Sequence, residues 1–133
     1  MTTPDLIRKY YDCFNRADYL GMLDLLAEDV LHEPSQGLPR KGKVMFREFL
    51  AHMEDCYKEA VIDPVIMASA DGKRAAAEFM LSGRYLKTDE GLPAARGQAY
   101  NLRVGAFFEV HEGKITRVSN HYNLQHWLDQ ISG

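Results

Sequence analysis

The hydrophobic period of this chain changes once, near its midpoint. Up to about residue 57 the apolar residues recur every three or four positions, whereas from about residue 74 they alternate with polar ones. The first spacing lines one side of an α-helix and the second lines one face of a β-strand. A chain built this way has to lay early helices against a sheet drawn mainly from its second half, which predicts an α+β fold. In the first half, Leu6, Ile7, Tyr10, Tyr11, Cys13, Phe14 and Ala17 share one side of a helix that begins at Pro4, with Thr3 as its start signal. Asp18 caps an expected second helix carrying Leu20, Met22, Leu23, Leu25 and Leu26 and ending near Glu28-Asp29. The short run Val30-Leu31-His32-Glu33 favours a strand and stops at Pro34, and residues 35–42 read as a loop. After Gly42 a third helix carries Val44, Met45, Phe46, Phe49, Leu50, Met53, Cys56 and Tyr57.

The second half reads as a meander. Residues 60–69 predict a strand in which Pro64 demands an edge or a bulge. Asp71-Gly72 is a turn, after which Ala75, Ala77, Phe79 and Leu81 alternate against Arg74, Glu78, Ser82 and Arg84. A loop over 87–97 leads to a longer alternation of Leu102, Val104, Ala106, Phe108 and Val110 against Asn101, Arg103, Gly105 and Glu109. The turn at 111–114 opens the last strand, and a short tail carries Trp127. At 133 residues, with 46% hydrophobic and 26% charged residues, one domain is expected over residues 1–133.

Several function classes fall away at this level. A net charge of -3 provides no basic field for a nucleic acid. No apolar run approaches the roughly 20 residues that span a bilayer, and the start Met1-Thr2-Thr3-Pro4-Asp5 lacks the basic and apolar regions of a secretory signal, so a cytoplasmic protein without a membrane partner is expected. Cys13 and Cys56 sit among apolar residues as small buried hydrophobes, no Cys or His pair shows zinc-type spacing, and the five histidines are spread along the chain. With no phosphate-cradling glycine loop either, no cofactor and no metal are expected.

Two stretches carry a resemblance. Tyr10-Tyr11-Asp12-Cys13-Phe14-Asn15-Arg16-Ala17-Asp18, followed by Met22-Leu23-Asp24-Leu25-Leu26-Ala27-Glu28-Asp29-Val30, is similar to the start of ketosteroid isomerases and SnoaL-like polyketide cyclases. Ala106-Phe107-Phe108-Glu109-Val110-His111-Glu112-Gly113-Lys114-Ile115-Thr116-Arg117-Val118 resembles their last hairpin, and the ending Asn120-His121-Tyr122-Asn123-Leu124-Gln125-His126-Trp127 resembles ketosteroid isomerase-related proteins. This nuclear transport factor 2-like resemblance implies a cone in which three N-terminal helices pack on a strongly curved antiparallel sheet around an internal pocket. Members are isomerases, cyclases, dehydratases, epoxide hydrolases or mere binders, so the fold does not choose the reaction.

In a ketosteroid isomerase a carboxylate carries a proton between carbons while a tyrosine and a protonated aspartic acid hold the oxyanion. The resemblance puts the tyrosine on Tyr10 and, with a one-residue gap, the carboxylate on Glu33. The aspartic acid falls on Ala106, which donates nothing, and losing such a donor costs on the order of 10²–10³ in rate. By alternation Val118, Asn120 and Tyr122 share one face of the last strand, and the resemblance makes that face the pocket. Asn120 and Tyr122 are then the replacement donors, with Ala106, Phe108 and Trp127 completing the lining. His32 should point away from Glu33, and His121 acts as a base only if a bulge reverses the strand. The leading expectation is a proton-transfer isomerase or lyase acting on a small apolar carbonyl compound. The alternative is a binding or structural module of the same fold, while the Asp-Arg-Asp cluster of an epoxide hydrolase cannot be assembled. Phe107 and Met80 lie out of phase with the core positions, so a homodimer through the sheet's second face is expected.

Overall fold

The computed structural model describes residues 1–133 throughout. Helix α1 spans Thr3–Asn15 and is capped one residue earlier than expected, by Thr2. The Thr2 hydroxyl accepts from the Asp5 backbone N–H at 3.2 Å while the Asp5 carboxylate accepts from the Thr2 N–H at 3.3 Å, a reciprocal pair that satisfies two orphan donors. Thr3 does other work: its hydroxyl donates to the Gly72 carbonyl at 2.6 Å and ties the helix start to a strand turn. Helix α2, Tyr19–Asp24, is capped by Asp18 as expected but ends five residues short of Asp29. The chain turns there into strand β1, Leu26–Glu33. Leu26 is covered on the sheet, and its pairing with Ile115 of β6 overrides its helical spacing. Residues 40–41, expected in a loop, form the edge strand β2 (Arg40–Lys41) beside β1.

Helix α3 runs Lys43–Cys56 and passes directly into β3, Tyr57–Ala68, so Tyr57 begins a strand instead of closing a helix. Pro64 sits where the β3 register slips, between Ile62 and Val65, and Asp63 before it takes a positive φ of 48°. Both expectations for Pro64 are met, because β3 is also an edge strand. Strands β4 (Arg74–Tyr85), β5 (Gln98–His111) and β6 (Lys114–Tyr122) follow, and the tail folds as a helix, α4 (Leu124–Ile131), capped by the Asn123 side chain.

The sheet order is β2-β1-β6-β5-β4-β3. Every pair is antiparallel except β1 with β6, so the sheet is mixed where a purely antiparallel one was expected, and there are four helices where three were expected. The curled sheet stays open, with its concave side covered by helices. One apolar cluster joins α1, α3 and α4 to that side. Tyr11 meets Phe79 edge-on at 4.9 Å and Tyr10 meets Phe108 at 5.7 Å, contacts worth about 0.5–1.5 kcal/mol each beyond their buried area. Asn15 closes the far end of α1: its amide donates to the Val61 carbonyl at 2.9 Å and its carbonyl accepts from the Val61 N–H at 2.8 Å. No helix is long and apolar enough to cross a membrane.

Candidate functional site

Strand register decides which expected residues meet. Across the ladder His32 pairs with Val118, and Val118 with Phe108, so these three face the concave side. Leu31 pairs with Arg117 and Glu33 with Ser119, which puts both on the convex side. There Arg117 donates to Glu33 at 3.1 Å and to Glu109 at 2.9 Å, and Arg74 reaches the other Glu109 oxygen at 2.9 Å. Glu33 therefore does not share a pocket with Tyr10, whose ring is buried edge-on against Tyr11 and Phe108. A one-residue step along a strand exchanges its faces, and the gap allowed at Glu33 selected the outer one.

His32 takes the inward position. It is 2% exposed, its ring lies 4.5 Å from Phe46 and 4.6 Å from Phe49, and its Nδ1 has no hydrogen-bond partner. Burial, helped by the positive charge of Arg40, pushes its pKa down to about 4, so it is neutral at pH 7.

The other expected residues divide similarly. Asn120 pairs with Ala106 and Tyr122 with Val104, all facing the concave side. Ala106 and Phe108 are closed core positions. Trp127 is buried among Tyr57, Tyr85, Tyr100 and Tyr122, with ring separations of 6.0–6.5 Å. Side chains thus fill much of the space expected to be an internal pocket. His121 stays on the convex side, bonded to the Ser119 hydroxyl at 2.8 Å and packed on Phe107 at 5.7 Å. The β5–β6 register slip falls at Glu109/Val110, before His121, and does not turn it inward.

The carboxylate that does face the concave side is Glu59, which sequence reasoning missed. Glu59 pairs with Gly83 on β4, and Gly83 pairs with Tyr100 on β5. With no side chain on the middle strand, the Tyr100 ring lies across it and donates its hydroxyl to Glu59 at 2.5 Å. A Cβ added to Gly83 would stand 2.4 Å from the Tyr100 ring, so only glycine permits this contact. Burial raises the Glu59 carboxyl pKa above its usual range, and the hydrogen bond from Tyr100 opposes that rise in part. Tyr122 stands near enough to sense the Glu59 charge. Its hydroxyl oxygen accepts from the Gln36 amide, which leaves the phenolic proton available for another acceptor. Tyr10 also makes no hydrogen bond through its hydroxyl. The signal for Glu59 was present in Tyr57, Glu59 and Val61, an alternation that continues the strand back past residue 60.

A half-buried carboxylate of raised pKa beside phenols can accept a proton from carbon and return it. Two further clusters stand apart from it. A groove of about 420 Å³ on the convex side is bordered by Met67, Phe107, Arg117 and His121. At the end of α3, His52, Cys56 and Asp89 bring one nitrogen, one sulfur and one oxygen within 4.8 Å of each other, a set able to hold a metal ion.

The family model described as a SnoaL-like domain matches residues 7–118. A candidate polyketide cyclase from Pseudomonas putida KT2440 is 50% identical, covers 99% of this chain and 99% of its own, and superposes with a TM-score of 0.98. Another, from Xanthomonas campestris pv. campestris, is 48% identical over 98% of this chain and 96% of its own, with a TM-score of 0.95. TerC, co-crystallized with polyporic acid, shares the fold at 18% identity, with a TM-score of 0.79 over 98% of each chain. No curated protein matches the sequence.

Proposed function

This chain belongs to the SnoaL-like domain family, and from that premise we propose that it is a proton-transfer enzyme of isomerase or cyclase type acting on a small, mainly apolar carbonyl compound. The observation that carries this reading is the Glu59–Tyr100 contact over Gly83, a carboxylate of raised pKa facing the concave side within reach of a second phenol. Glu59, ionised, takes a proton from a carbon beside the carbonyl, and the electron pair moves onto the carbonyl oxygen. Tyr122 and Asn120 donate to that oxygen as its charge grows, in place of the donor that Ala106 lacks. The Tyr10 and Tyr11 hydroxyls face the same core without a protein partner, and Trp127 and Phe108 form the apolar wall. Glu59 then returns the proton to another carbon, or the enolate carbon attacks a second carbonyl to close a ring. In the second case the π electrons of that carbonyl pass to its oxygen, and Glu59 returns the proton to the alkoxide so formed. Cyclisation of a polyketide, the activity named for the relatives at 48–50% identity, uses the same opening step.

A binding module without chemistry is the second reading, favoured by Ala106 and by the filled concave side. Turnover over a panel of cyclic enones and β-dicarbonyl compounds separates the two. Glu59→Gln should lose about 10²–10⁴-fold in kcat, the range for removal of a general base, and Glu33→Gln should retain the wild-type rate. Equal rates for Glu59→Gln and wild type would remove Glu59 from the reaction. We further assign the convex sheet face to a two-fold homodimer of this chain.

A further inference from the structure

The last turn of α3 carries His52 and Cys56, four residues apart and so on one side of the helix. The segment after β4 brings Asp89 against that turn, with His52 Nε2 2.9 Å from Asp89 Oδ1. Asp89 is held from two other directions. The Tyr57 hydroxyl donates to its second oxygen at 2.7 Å, and its backbone N–H donates to the Tyr85 hydroxyl at 2.9 Å, which in turn donates to the Pro93 carbonyl at 2.6 Å. The carboxylate is therefore positioned before any ligand arrives. Cys56 gives a second, independent pointer: the residue is 3% exposed, and its thiol makes no hydrogen bond although it lies within 4.8 Å of both other donors. A nucleophilic relay would need a hydrogen bond from Cys56 to His52, and none is formed.

We propose that His52, Cys56 and Asp89 form a zinc site that fastens the end of α3 to the loop after β4. Magnesium and calcium favour shells of oxygen, whereas zinc accepts imidazole, thiolate and carboxylate together and tolerates a fourth position filled by water. Bonds of about 2.0–2.3 Å put tetrahedral donors roughly 3.3–3.8 Å apart, so metal binding replaces the 2.9 Å His52–Asp89 hydrogen bond and opens that pair slightly. The three donors, already within 4.8 Å of one another, settle at that spacing. Zinc displaces the thiol proton: Cys–SH and Zn²⁺ give Cys–S–Zn and one H⁺. Tyr57, bonded to the free oxygen of Asp89, orients that ligand from behind. The earlier expectation of no zinc-type spacing passed over the pair His52 and Cys56, whose spacing of four serves a helix instead of a knuckle.

The test titrates the full, tag-free chain with Co²⁺ and follows the absorption spectrum. One equivalent should produce a thiolate-to-cobalt charge-transfer band with tetrahedral visible bands, and Zn²⁺ should displace it. Cys56→Ser should abolish the charge-transfer band and Cys13→Ser should leave it intact. Tyr57→Phe should weaken binding by about 10–100-fold. His52→Gln keeps the buried thiol in place should Cys56→Ser not fold, and it should weaken Co²⁺ binding at least about tenfold. A spectrum that remains that of hydrated cobalt, a band that survives in Cys56→Ser, or unchanged affinity in His52→Gln would overturn the site.

Discussion

His32 shows how one inward residue shapes the behaviour of the protein with pH. Its folded pKa is pushed down to about 4 from the ordinary 6.5, so the folded state favours the neutral ring while the unfolded chain binds a proton more readily. The sign follows: the contribution of His32 is fully present above the unfolded value and is lost as pH falls from 6.5 towards 4. Its size is on the order of 3 kcal/mol for a group so well buried. The difference in unfolding free energy between wild type and His32→Phe, measured by denaturant titration across that window, should therefore slope with pH. A difference that stays flat would show that His32 does not titrate in this way. Glu59 carries the opposite sign. Its raised pKa favours the protonated folded form, so its contribution falls as pH rises from the ordinary carboxylate range through the raised value.

At the scale of elements, strand register is the variable that matters most. The alternations along β4 and β5 were legible because both have one covered and one solvated face, and their facing followed from the sequence. Alternation likewise put Asn120 and Tyr122 on one face of β6, and the family resemblance chose the concave side for it. β1 was harder to read: Leu25 and Leu26 continue the helical spacing of α2, and only the pairing with β6, far along the chain, makes Leu26 begin a strand. The Glu33 assignment failed for a related reason, since a gap of one residue is invisible in a short strand yet reverses its faces. Glu59 was missed because Tyr57 looks like the last apolar residue of α3, which hid the first three residues of β3. The β3–β4–β5 alignment now makes a prediction. Gly83→Ala forces the Tyr100 ring off the strand and should cost about 1–3 kcal/mol, the usual range for overpacking. Tyr100→Phe should not restore it, because the ring itself fills the space. Chemical denaturation measures both, and a Gly83→Ala protein as stable as wild type would mean that Tyr100 leaves the notch freely.

At the scale of the whole molecule, the curl of the sheet separates two surfaces of different character. The concave side is closed by helices and carries Glu59. The convex side leaves Ile62, Val65, Met67 and Phe107 about half exposed, and Met80 faces the same way. Glu78–Arg103 and Arg74–Glu109–Arg117–Glu33 are ion pairs set among them. Apolar positions framed by charges of both signs suit a self-complementary contact, in which each copy offers the same patch. Sedimentation at micromolar concentration should show a species of twice the chain mass, and Phe107→Glu should return it to the monomer. A monomer throughout, or a dimer unaffected by Phe107→Glu, would place the contact elsewhere. The reaction itself is read most directly from carbon-bound hydrogen. Incubated in D₂O with a β-dicarbonyl compound or cyclic enone that it turns over, the wild-type protein should speed deuterium uptake beside the carbonyl, as followed by NMR. Glu59→Gln should lower that uptake by at least about 10²-fold, while Glu33→Gln should leave it unchanged. Equal uptake by wild type and Glu59→Gln would contradict the account.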